Sequence, residues 1–151
     1  MVAVKTHQAA PFLNALDRVP SAVLFYGTDA GLVAERAAQL ARALAERADP
    51  KGEILRLDDA NLEDDPDRIY VELQTAPMFG GRKVVRATAG RRVTAAQLKP
   101  LVEGAPLEGY LIVEAGNLRP ELLRSPANSV HRVATGDGRH HADTGRGLVC
   151  L

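Results

Sequence analysis

Three short apolar blocks constrain the fold most: AVLFYG at 22–27, RKVVRA at 82–87 and GYLIVEA at 109–115. In the first the apolar residues form a continuous run, the signature of a strand buried on both faces, and the other two read as further apolar strands. EILRL at 53–57 alternates as a fourth strand does. Helical patterns lie between these blocks. Leu32, Val33, Ala37, Leu40, Ala41 and Leu44 recur at helical spacing, with Glu35, Arg36, Arg42, Glu46 and Arg47 on the other side and Thr28 or Asp29 as the cap. Asp65 and Pro66 open a second helix that carries Ile69, Tyr70 and Leu73 and that Pro77 ends before Met78. Thr94 caps a short helix through Leu98 and Leu101, kinked at Pro100, and another short helix is expected over 11–17. Strands alternating with helices predict an α/β fold in three layers, a mostly parallel sheet flanked by helices.

The 151 residues suffice for one domain with a real core. From about Arg124 the texture changes. SPANSVHRVATGDGRHHADTGRG has few large apolar residues, so the expected organisation is a domain over 1–123 and an irregular or disordered tail over 124–151, with either the sheet left incomplete or this end of the sequence unusual. Acidic and basic residues balance at 19 each, which leaves no global field to hold nucleic acid or an anionic membrane. A single cysteine, Cys150, rules out an internal disulfide and fits a cytoplasmic setting. No apolar run approaches the roughly 20 residues of a membrane span, and no membrane partner is expected.

A buried strand, a glycine turn and a long helix form the setting of a phosphate-binding loop, and FYGTDAGLVAERA occupies it. The chemistry is incomplete. After Gly27 come Thr28, Asp29, Ala30 and Gly31, so the second glycine arrives early, and the lysine and hydroxyl that would hold terminal phosphates and Mg²⁺ are missing. Asp29 would set a negative charge against any phosphate. KVVRATAG ends without the acid that would hold Mg²⁺. His131, His140, His141, Asp143 and Cys150 lack the fixed spacing of a metal site. Asp58, Asp59, Glu63, Asp64, Asp65 and Asp67 read as a solvated acidic stretch, and Arg82, Lys83, Arg86, Arg91 and Arg92 as an ordinary charged surface. No catalytic centre and no cofactor are expected.

What remains is QTAPMFGGRK, where two large apolar residues fall on the connection from a helix to a strand. Such residues either fold back onto the core or wait for a partner. Gln74, Met78 and Phe79 make Q-x-x-x-M-F, which resembles the short motif by which bacterial proteins enter the hydrophobic cleft of the sliding clamp of DNA replication. The wider chain carries a matching resemblance through VLFYGTDAGLVAERA, RLDDANLEDDPDRI, LQTAPMFGGRKVVR and YLIVEAGNLRPE, in that order. Over about residues 1–121 it is similar to the N-terminal domain of the delta-subunit family of bacterial DNA polymerase III, the clamp-loader wrench.

The resemblance implies an AAA+/RecA-like domain related to the P-loop NTPases, with a degenerate nucleotide site at Gly27, Thr28, Asp29 and Gly31. It implies that Met78 and Phe79 form a hydrophobic wedge for the beta sliding clamp, with Gln74 as the polar member and Pro77, Gly80 and Gly81 shaping the supporting loop. Family chains also join the other clamp-loader subunits, and DNA indirectly, through a helical domain and a collar domain whose patterns do not occur here, so assembly into a loader is not expected of this sequence. After Glu121 the residues depart from the family pattern, a texture that a local shift of reading frame in a GC-rich gene would produce. The rival expectation is a nucleotide-binding α/β enzyme or regulator with a non-standard phosphate loop at 27–31.

Overall fold

The computed structural model describes residues 3–4, 9–90, 97–98, 100–101, 107–116 and 148–150. In chain order the elements are β1 (Ala3–Val4), α1 (Ala9–Asn14), a 3-10 turn (Leu16–Arg18), β2 (Ala22–Tyr26), α2 (Ala30–Arg47), β3 (Ile54–Leu57), α3 (Arg68–Gln74), β4 (Val84–Thr88), β5 (Tyr110–Ala115) and β6 (Leu148–Cys150). The strands form one sheet in the order β1-β6-β2-β5-β4-β3, and every pairing is parallel. This is an α/β fold with a parallel sheet and helices, as the alternation of strand and helix patterns predicts.

The pleat sorts the strand residues onto two faces. Val23, Phe25, Val84 and Ile112 pack with Val33, Ala37, Leu40, Ala41 and Leu44 of α2, and Leu13 joins them. Ala22, Val85, Ala87, Leu111 and Val113 face the other way, against Leu62, Ile69 and Leu73. Both faces of β4 and β5 are therefore covered, which is why apolar residues are adjacent rather than alternating in Val84–Val85 and Leu111–Val113.

Helix α2 starts where the sequence places it. Asp29 is the N-cap, and its Oδ1 accepts from the Leu32 backbone N–H at 3.0 Å. Helix α3 starts later than expected, at Arg68 rather than Pro66, and its N-cap Asp67 makes no side-chain bond. The acidic residues before it fold a turn of their own: the Asn61 N–H donates to Asp58 Oδ1 at 3.1 Å and the Asp58 N–H to Asn61 Oδ1 at 3.0 Å. That turn drives Leu62 into the core, fully buried amid an otherwise exposed stretch.

The basic residues on and before β4 also correct the sequence reading. Lys83 and Arg86 are buried, not surface charges. Lys83 Nζ donates to Glu72 of α3 at 2.6 Å, and Arg86 Nε donates to Glu114 of β5 at 2.7 Å. Arg91 and Arg92 lie outside the described residues.

Nor is the sheet left incomplete at the C-terminal end. The apolar Leu148–Cys150 segment pairs with β1 on one side and β2 on the other, Val149 opposite both Val4 and Phe25. The rest of the expected tail, with its histidines, lies outside the described residues. Among the described residues, no helix is long and apolar enough to cross a membrane.

Candidate functional site

The connection from α3 to β4 holds the two most exposed large apolar side chains among the described residues, Met78 at 93% and Phe79 at 89%. Their exposure follows from the backbone. The Gly80 N–H donates to the Pro77 carbonyl at 3.3 Å, closing a β-turn with Met78 and Phe79 at its two corners. Corner side chains point away from the chain on either side. Gly80 and Gly81 follow with φ of 79° and 78°, the left-handed region in which a side chain is strained.

Below the corner, the turn is mounted on the domain. A Cβ on Gly81 would stand 2.6 Å from the Pro50 carbonyl oxygen, and one on Gly52 would overlap the carbonyl oxygen of Arg82. The segment after the turn therefore runs backbone to backbone along residues 50–52. On the other side, a Cβ on Gly109 would stand 2.6 Å from the Lys83 carbonyl oxygen, and the Glu108 N–H donates to the last carbonyl but one of α3, that of Leu73, at 3.1 Å. Helix α3 closes with Thr75, whose hydroxyl donates to the Val71 carbonyl at 2.6 Å.

Gln74 is the final residue of α3 and is half-buried, four positions before Met78. Tyr70, one helical turn before it and on the same side of α3, is half exposed, as is Val71. Glu72 and Lys83 bracket the turn in sequence, and their ion pair at 2.6 Å closes its base. Arg82 adds a lateral tie. Its Nε donates to the Glu108 carbonyl at 3.1 Å, Nη1 to the Tyr110 hydroxyl at 3.0 Å and Nη2 to the Leu107 carbonyl at 3.3 Å, with the guanidinium carbon 4.4 Å from the centre of the Tyr110 ring. Neither ion pair nor fork was legible in the one-dimensional pattern, because each partner sits on a different element.

Gly27, Thr28 and Asp29 lie elsewhere, between β2 and α2, and Gly31 lies in the first turn of α2. That loop leaves the C-terminal end of β2, whereas the Met78–Phe79 turn leads into the N-terminal end of β4. Because the strands are parallel, the two groups occupy opposite ends of the sheet, roughly 15 Å apart along a strand of this length. The Asp29 carboxylate, which takes the Leu32 amide, fills part of the donor set that a phosphate at this helix terminus would use. Among the described residues, no group of three or more His, Cys, Asp or Glu is placed to hold a metal ion.

The fold and site define a parallel α/β domain that presents an apolar turn at one end of its sheet. No protein-family model matches the chain, and no curated protein matches it.

Proposed function

We propose that this chain is a protein-docking module, a delta-like clamp-loader domain of the AAA+/RecA-like kind, whose Met78 and Phe79 insert into the hydrophobic cleft of a bacterial beta sliding clamp. In this role it belongs to the DNA polymerase III machinery and favours the opened ring during replication. The observation that carries the reading is the near-complete exposure of two adjacent large apolar side chains at the corners of an anchored turn. Core packing gives no reason for that exposure. Covering a Met and a Phe contributes roughly 1.5–3 kcal/mol each, the size of the anchors that dominate an interface. Gln74 at the end of α3 supplies the polar member of the motif.

Opening the ring requires only that the wedge bind the open clamp better than the closed one, so the module needs no catalysis of its own. The rival nucleotide-binding reading has a suitable place, since ligands of open parallel sheets sit at the C-terminal ends of the strands. It lacks the groups: no lysine follows Gly27, and Asp29 is committed to its own helix.

Surface plasmon resonance on immobilised sliding clamp tests the proposal. Saturable binding by the wild type, lost in Met78→Ala/Phe79→Ala, is the expected result. A folded wild type that does not bind overturns it, and saturable ATP binding in calorimetry would move the function to the 27–31 loop.

A further inference from the structure

We infer that Arg82 is a positioning residue for the Met78–Phe79 turn: its guanidinium fork holds the stem of the turn against the start of β5, so that the apolar pair is presented in one arrangement before a partner arrives. The inference rests on the docking reading and adds to it a residue that touches no partner.

Arg82 is exposed, yet three of its nitrogens donate to three different residues of the 107–110 segment, and its guanidinium carbon lies over the Tyr110 ring. An exposed arginine engaged this fully is doing something other than solvating a surface. Two of its three acceptors are backbone carbonyls, so the side chain ties residue 82 to the main chain before β5. Its own carbonyl lies against Gly52 on the opposite side, which places residue 82 between the two segments that flank the stem. Gly80 and Gly81 immediately before it are the most permissive backbone in the loop, and without a fixed point after them the turn has many orientations. The Arg82 fork is the first side-chain tie after them, added to the backbone contacts of residues 82–84. Fixing a loop ahead of binding raises affinity by removing an ordering cost.

The geometry of the fork, rather than its charge, is what the inference requires, and lysine cannot reproduce it. The test compares wild type, Arg82→Ala and Arg82→Lys for amide hydrogen exchange in the free chain, for thermal unfolding, and for binding to the sliding clamp. Met78→Ala/Phe79→Ala serves as the control for the docking reading. Both Arg82 variants are expected to unfold at nearly the wild-type temperature, to exchange the Gly80 amide, which closes the turn on the Pro77 carbonyl, faster, and to bind the clamp about five- to tenfold more weakly, the size of one side chain's ordering cost. Unchanged exchange at this amide overturns the inference whether or not the clamp binds. Wild-type affinity in Arg82→Lys also overturns it, because charge alone would then suffice. If the wild type does not bind, or the double variant binds normally, the docking reading fails with the binding half of the inference, and the exchange measurement alone decides whether Arg82 positions the turn.

Discussion

Arg86 and Glu114 form a buried ion pair between adjacent strands, Arg86 Nε donating to Glu114 Oε1 at 2.7 Å with the residues only 8% and 6% exposed. A second Arg86 nitrogen donates to the Ala34 carbonyl at 3.2 Å, so the pair also ties the sheet to α2. Burying two charges is costly, and removing one leaves the other without a partner. Glu114→Ala is therefore expected to destabilise the domain by about 3–5 kcal/mol in urea unfolding. The double replacement Arg86→Met/Glu114→Leu is expected to cost much less than the single one, and equal losses would show that the pair contributes more than mutual neutralisation.

Met78→Ala/Phe79→Ala removes side chains that touch almost nothing in the domain. The expected change in unfolding free energy is within about 0.5 kcal/mol, the usual range for exposed sites. A loss of several kcal/mol would mean that the pair packs against the core in solution, which would defeat the docking reading.

Gly52→Ala acts on the turn from below. Its Cβ would overlap the Arg82 carbonyl oxygen, and relief requires the two segments to separate. The expected cost is about 1–3 kcal/mol, as for overpacking elsewhere. Clamp binding should weaken alongside, because the mount of the turn shifts. A stable variant with unchanged binding would show that the two segments are not held together.

Asp29→Ala removes the α2 cap and is expected to cost about 1 kcal/mol by thermal unfolding, while Asp29→Asn retains most of the stability. Neither change is expected to create ATP binding in calorimetry, since the missing lysine is not restored.

The parts of this molecule that repeat a local rule were legible in its sequence. β2, β4 and β5 announce themselves as apolar blocks because both of their faces are covered, and α2 by a stripe from Val33 to Leu44 with Asp29 before it. The turn residues were also legible, since Pro77 restricts the backbone before the turn and Gly80 and Gly81 allow the left-handed conformation after it. Less legible was anything that depends on a distant partner. Arg86 looks like any surface arginine until β5 brings Glu114 beside it, and Leu62 looks solvated until the Asp58–Asn61 turn folds it inward. β6 is three residues long and pairs with strands more than a hundred positions away, so no local periodicity marks it.

The place of β4 in the sheet has a mechanical consequence for the turn that precedes it. β4 pairs with β3 over Val84–Ala87 on one side and with β5 over Val84–Thr88 on the other. A pull on Met78 and Phe79 with a component along the strand is resisted by two ladders loaded in shear, where the bonds share the force instead of opening one after another. The apolar tip is thus the end of a stiff shaft held between two neighbouring strands, able to bear tension against a partner without peeling from the fold.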